Sequence, residues 1–342
     1  MAKLNGQEYG REALLRYCGS IDQIASIDTS TFSDGKAAGA VTYHVKTGGG
    51  LEFDVLPNQC LDIAALRYKG VNLSFLSKNG LVGPALDKPA GYDFVRYVSG
   101  GMLFTCGLGN VGAGCMDGST EQPLHGRIGL TPAQYPYAKC DWQGDDYLME
   151  LGGTMHETAL FGLSLSLKRK ILTKLGSNEI EIFDTIENNN PSPQEFMFLY
   201  HVNYGFPFLD ETLEVVFPEN TIAPRTEAAK ADLDVVDVYM KPVDELFERV
   251  YFRDVVAAPD GMVTVKLLNR ALGIGSCMTY IQDTLPKLTQ WKSLRSGDYA
   301  LGIEPSNCGV DGIVVEREKG TLLSIAPFSK LEYYMKLSFF DL

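Results

Sequence analysis

Long apolar runs are missing from this 342-residue sequence. No stretch approaches the ~18 consecutive apolar residues that a membrane span needs, so a membrane partner is not expected. Basic residues are in deficit, with 30 Lys plus Arg against 43 Asp plus Glu and a formal net charge of −13. A diffuse negative excess repels phosphate backbones, which argues against nucleic acid as a partner. Paired cysteines are also missing: Cys18, Cys60, Cys106, Cys115, Cys140, Cys277 and Cys308 are odd in number and never form a CxxC spacing. No apolar segment follows Met1-Ala2-Lys3, so no secretory signal is expected. Together these features predict reduced thiols in a cytoplasmic protein, with neither a disulfide framework nor a zinc site. The sequon at Asn72-Leu73-Ser74 then meets no glycosylation machinery. Histidine and tryptophan are scarce, at four and two residues, which narrows the candidates for acid–base chemistry and for stacking.

What is present is a globular composition, 45 % hydrophobic and 21 % charged, able to bury a large core. Gly10 to Cys18 carries helix formers at helical spacing and stops at Gly19, which predicts a short N-terminal helical segment within residues 1–30. Beyond it the hydrophobic period is two. Val41–Val45, the Gly48-Gly49-Gly50 turn and Leu51–Val55 read as a hairpin. Phe161–Leu172 and Glu179–Asp184 alternate around a turn at Gly176-Ser177-Asn178. Further short strands are expected at Phe196–Tyr204, Glu214–Phe217, Met262–Leu268, Cys277–Ile281, Tyr299–Glu304, Leu322–Ala326 and Leu331–Phe340. The interval Glu227–Glu248 reads as a loop or a short helix. Many strands with little helix between them, and no repeat or linker, predict an all-β fold: a large antiparallel β-sandwich over residues 1–342 as one domain.

Gly107-Leu108-Gly109-Asn110-Val111-Gly112 matches the dinucleotide pattern GxGxxG. That pattern works by opening a helix onto a pyrophosphate, and Gly114, Gly118 and Pro123 follow too soon for one. A loop whose backbone approaches something closely is the better reading, and a nicotinamide oxidoreductase the weakest one. Among the histidines, His44 and His156 read as ordinary surface residues. In Pro123-Leu124-His125-Gly126-Arg127 an extended backbone would put His125 and Arg127 on one face, as site residues or as structure. In Phe196–Gly205, His201 and Asn203 share a face with Met197 and Leu199 on a strand apolar on both sides. An imidazole there is either a hydrogen-bonded core group or a tuned catalytic one. Glu304 projects beside Ala300 and Gly302, two small residues that leave space next to a carboxylate, and Pro305 should end that strand. It reads equally as a solvated edge residue or a pocket residue. Trp291 follows Leu285-Pro286-Lys287 in a presumed loop and could stack on a sugar ring or pack in the core.

In order and distance, Leu56-Pro57-Asn58-Gln59-Cys60-Leu61-Asp62-Ile63, Gly100–Leu108, Leu124-His125-Gly126-Arg127, Leu199–Gly205 and Gly302-Ile303-Glu304-Pro305 resemble the galactose mutarotase (aldose 1-epimerase) superfamily. The likeness is stronger to its uncharacterised aldose 1-epimerase-like branch. The resemblance covers most of the chain. It implies a large antiparallel β-sandwich and a free sugar as substrate. His201 would be general acid on the ring oxygen and Glu304 general base on the anomeric hydroxyl, with Glu304 ionised and His201 protonated at the start. His125, Arg127, Asn203, Gln59, Asp62 and Trp291 are the implied substrate-binding residues, and no metal or organic cofactor is implied. Relatives commonly carry an arginine where this chain has Gln59; Arg127 or Arg96 could substitute for it. That departure supports an alternative, a non-catalytic sugar-binding or sensing protein. A sugar isomerase or epimerase acting beyond C1 is a further one. The sequence carries no signal for an oligomeric state.

Overall fold

Alternating apolar and polar residues put one side chain of every two on each face of an extended chain. In the computed structural model, which describes residues 1–83 and 91–342, that alternation builds three large sheets whose strand pairings are all antiparallel. One has eight strands, in the order Gln134–Gln143, Asp146–Thr158, Ser164–Lys174, Glu179–Asn188, Lys330–Asp341, Ile274–Ile281, Met262–Asn269 and Leu213–Val216. The central sheet runs Leu103–Leu108, Gln194–Gly205, Asp298–Ser306, Lys287–Arg295, Arg249–Val255 and Asn220–Pro224, with Leu323–Ile325 added beside Gln194–Gly205. A five-stranded sheet contains Ser26–Thr31, Val41–Lys46, Leu51–Leu56, Asp62–Tyr68 and Val71–Asn72. The fold is the expected antiparallel β-sandwich.

The strand Gln194–Gly205 shows why the arrangement holds. Phe196, Phe198, Tyr200, Val202 and Tyr204 all point into the main core, where Leu301 and Ile303 meet Ile180, Ile182, Met335 and Leu337 of the eight-stranded sheet. Across that layer the rings of Phe198 and Tyr333 lie 4.9 Å apart, and Tyr204 Oη shares a hydrogen bond with Ser276 Oγ at 3.1 Å. Met197 and Leu199, on the other face, join a smaller cluster with Phe94, Phe104, Cys106 and Val310. The strand is covered on both sides, which is why neither face reads as polar.

Asp62 is drawn into this interior. Its carboxylate accepts from Thr105 N at 2.8 Å and Thr105 Oγ1 at 2.6 Å, and pairs with Arg169 Nη1 at 2.6 Å. Arg169 is fully buried, is paired at 2.7 Å with Asp184, and donates to the Cys60 carbonyl; Tyr200 Oη donates to Asp184 at 2.8 Å. Asp62 is a structural charge, not the substrate ligand the resemblance implied. Burial pushes its carboxyl up to about 6, against the pull of Arg169.

Local departures from expectation have local causes. The strand after the first long hairpin begins at Ser164, not Phe161, whose side chain is wholly exposed in the turn. The N-terminal helix is Arg11–Tyr17, buried through Leu14, but two short strands, Ala2–Leu4 and Gln7–Tyr9, precede it. Helices at Glu227–Ala231 and Ile313–Glu318 complete the set of α-helices among the described residues. The strand through Glu304 continues past Pro305 to Ser306. His44 is half-buried and paired with Asp54 at 2.5 Å instead of facing solvent freely. No described helix is long and apolar enough to cross a membrane, and no described cluster of His, Cys, Asp and Glu could hold a metal ion.

Candidate functional site

Two neighbouring strands of the central sheet set the chemistry. Val202 pairs with Ile303 and Asn203 with Gly302. His201 and Glu304, one step along from Val202 and Ile303, therefore emerge side by side on the face away from the main core. His201 Nε2 lies 3.2 Å from Glu304 Oε1. The next strand supplies Trp291, opposite Gly302, and Thr289, opposite Glu304; the one beyond supplies Val250, opposite Trp291. Gly302 is small for a reason: an added Cβ would stand 2.5 Å from Glu304 Oε1 and 3.1 Å from His201 Cε1 and from Trp291 Cβ.

This face is the floor of a cavity of about 510 Å³, open on one side, lined also by His125, Asn203, Arg225 and Glu248. Phe75, Phe94, Val95, Val98, Phe104 and Leu124 form apolar walls. The volume falls in the ordinary range for small-molecule sites, and the mix of apolar walls with a few convergent polar groups is typical of them. The last glycine of the GxGxxG segment, Gly112, and the two residues after it, Ala113 and Gly114, line part of the wall. No helix follows it. Gly112, at φ +75°, presses against the carbonyl of Val310, and Gly126, at φ +74°, against those of Gly107 and Asn110. These glycines serve close backbone approach, as the sequence suggested.

Burial dominates the electrostatics. The side chain of Glu304 keeps 3 % of its exposure and that of His201 14 %. Burial pushes the Glu304 carboxyl well above the usual carboxylate range; the charge of Glu248 adds to the rise and Arg225 opposes it. Burial holds His201 down at about 4, opposed by the Asn203 side chain. His125 is lowered to about 3 by burial, then by His201 and Arg225. Burial thus favours neutral imidazoles and works against an ionised Glu304, a direction opposite to the imidazolium–carboxylate start that the resemblance implied. The pair carries the same single shared proton in either description.

The remaining candidates divide. His125 stands over the floor, 5.6 Å ring to ring from His201, with Nδ1 facing the amide of Gly112 at 3.4 Å. Its backbone is left-handed, φ +59°, not extended, so the chain turns and Arg127 leaves the cavity to donate to Gln122 Oε1 and the Glu121 carbonyl. Gln59 is buried outside the cavity and donates to the Val82 carbonyl. Arg96 is exposed and pairs with Asp93 at 3.3 Å. Trp291 lies in a strand, not a loop; its indole N–H donates to Glu248 Oε2 at 2.7 Å, and its ring stands edge-on to His201 at 5.4 Å. Sequence reasoning missed Arg225, paired with Asp311 at 3.0 Å, as well as Glu248 and Thr289. Arg225 follows a short edge strand and Glu248 ends a polar interval, positions without a distinguishing pattern.

Residues 37–339 match a family model described as "Domain of unknown function (DUF4432)". No curated protein matches the chain. Among solved structures, one from Klebsiella pneumoniae described as a "putative aldose 1-epimerase" is similar at TM-score 0.88 and 22 % identity, over 94 % of this chain and 86 % of that one. A galactose mutarotase-like protein from Clostridium acetobutylicum is similar at 0.61 and 13 %, over 94 % and 100 %. Galactose 1-epimerase from Lactobacillus acidophilus is similar at 0.55 and 11 %, over 92 % and 99 %. At these identities the likeness establishes the galactose mutarotase-like sandwich fold.

Proposed function

We propose that this chain, which belongs to the DUF4432 family and folds as a galactose mutarotase-like sandwich, binds a free sugar and interconverts its anomers without a cofactor. The observation that carries the reading is the 3.2 Å meeting of His201 and Glu304 on the floor of an open cavity. A structural histidine–carboxylate pair would have no need of empty space beside it, nor of a glycine at 302 to keep that space clear.

Ring opening needs a proton removed from the anomeric hydroxyl and one delivered to the ring oxygen. As the C1–O ring bond breaks, the C1 hydroxyl oxygen becomes the aldehyde carbonyl. Because burial favours the uncharged form of both groups, neutral His201 serves as the base and protonated Glu304 as the acid in this reading. After rotation about C1–C2 the carboxylate takes its proton back from the former ring oxygen as that oxygen attacks the opposite face of the aldehyde, and the imidazolium returns its proton to the carbonyl oxygen. No net proton is consumed. The ion pair that forms midway gains its stabilisation from the short distance between its partners. Each positioned transfer contributes roughly 10²–10⁴-fold. His125, with Nδ1 turned to the Gly112 amide, has its other ring nitrogen free to donate to a sugar hydroxyl. Trp291, its N–H held by Glu248, offers a fixed aromatic wall for the C–H face of a sugar.

The main sequence-based support for a non-catalytic binder was Gln59 replacing an arginine, and it is weakened because Gln59 does not line the cavity. Polarimetry on freshly dissolved aldoses tests the proposal. Wild type should accelerate the approach to equilibrium for at least one sugar of a broad panel, and His201→Ala and Glu304→Ala should abolish that acceleration. Three indistinguishable rates across the panel would overturn it.

A further inference from the structure

The mechanism above leaves Asn203 unused, although it lines the cavity and is 3 % exposed. It stands two residues from His201 on the same strand, so both side chains rise from the same face. Its amide nitrogen is committed: Nδ2 donates to the His201 carbonyl at 3.0 Å. With the nitrogen placed there, the amide oxygen is the atom left to act on the His201 ring, whose protonated form the Asn203 side chain favours. That oxygen is buried and has no aligned hydrogen-bond partner, and the same holds for His201 Nδ1. Two buried polar atoms of complementary kind, on adjacent side chains of one face, would each carry a cost of about 1–3 kcal/mol if left unpaired.

We propose that Asn203 is a positioning residue that accepts the Nδ1–H of His201 and so fixes the imidazole as the tautomer with a bare Nε2 facing Glu304. The inference rests on the reading of His201 as an acid–base group. A neutral imidazole has one N–H, and only a bare Nε2 can accept the Glu304 proton or take one from a sugar hydroxyl. With the opposite tautomer, Nε2–H would face a protonated carboxyl and neither group could serve as base. The same contact accounts for Asn203 being the one group that opposes burial in favouring protonated His201. When the imidazole takes a proton during ring opening, the Nδ1–H bond to Asn203 strengthens, so Asn203 also steadies the intermediate charge.

Nitrogen-15 NMR of histidine-labelled full-length protein near pH 7 reads the tautomer directly, with His201→Gln assigning the signal. Wild type should show His201 as the Nδ1–H form, and Asn203→Ala should shift it toward the Nε2–H form that free histidine prefers. An Nε2–H signal in wild type, or one unchanged in the variant, would overturn the proposal. In polarimetry, Asn203→Ala should lower kcat by roughly 10²-fold with KM nearly unchanged. A raised KM at unchanged kcat would instead mark Asn203 as a sugar ligand and overturn it. Asn203→Asp, nearly isosteric, guards against a folding defect: its carboxylate beside Nδ1 should move the acidic limb of the pH profile up by about a unit or more. If wild type anomerises no sugar, the functional reading fails, while the NMR result still decides the tautomer.

Discussion

Gly302→Ala is the sharpest perturbation of the site, because it adds one methyl group and no charge. Gly302 does not have a positive φ, so the backbone accepts alanine without strain. The added Cβ, however, would sit 2.5 Å from Glu304 Oε1 and 3.1 Å from both His201 Cε1 and Trp291 Cβ. Comfortable separation is roughly 3.5 Å, so the carboxyl must retreat by about 1 Å while the imidazole and indole give a few tenths. A displacement of that size at a reacting group costs about 10²-fold, or roughly 2.7 kcal/mol of barrier. The assay is polarimetric kcat, with a thermal melt to confirm folding; overpacking should cost only about 1–3 kcal/mol of stability. The effect must also run through Glu304. In a Glu304→Ala background, where no acceleration is left to lose, the added methyl should cost almost no further stability in the thermal melt, since the group it displaces is already gone. Wild-type kcat in Gly302→Ala would refute the reasoning. So would an undiminished loss of stability in the double variant, which would place the damage elsewhere.

Three further outcomes are expected. Because His201 must be neutral to act as base and is held at about 4, while Glu304 must keep its proton and is raised, activity should fall as pH drops through about 4. It should stay flat through mildly acidic pH and fall again only where Glu304 ionises; an acidic limb near the ordinary histidine range would contradict this in a pH–kcat profile. Arg169→Met leaves Asp62 and Asp184 buried without their cation and should lower stability by about 3–5 kcal/mol in denaturant titration; a loss below about 1 kcal/mol would show that the network is not holding the strands. Gln59→Arg should lower the melting temperature without raising the anomerisation rate, because the side chain is buried outside the cavity; a faster enzyme would show that an arginine from this position does reach the sugar.

How much of this was legible in the sequence depended on the distance over which each residue is satisfied. The two central strands were readable because their evidence is local: alternation around His201, and Ala300 and Gly302 beside Glu304. Asp62 misled because its partner, Arg169, lies 107 residues away, and no local pattern separates a buried ion pair from a substrate ligand. Arg127 misled because the alternation argument assumes an extended backbone, and His125 adopts the left-handed region. Trp291 was placed in a loop because Pro286 and Lys287 precede it; pairing on both sides, with Asp298–Ser306 and Arg249–Val255, makes that segment a strand regardless. Arg225 and Glu248 stayed invisible because each reaches the cavity from a segment whose own sequence is unremarkable. The division has a functional consequence. The His201–Glu304 pair sits on adjacent central strands, both anchored in the main core, where a change of register would disturb that core. The groups that would meet the rest of a sugar (His125, Arg225, Glu248 and the aromatic walls) come from separate turns, strand ends and loops, each free to vary without moving that pair. Substitutions there should change which sugar is accepted long before they change what is done to it.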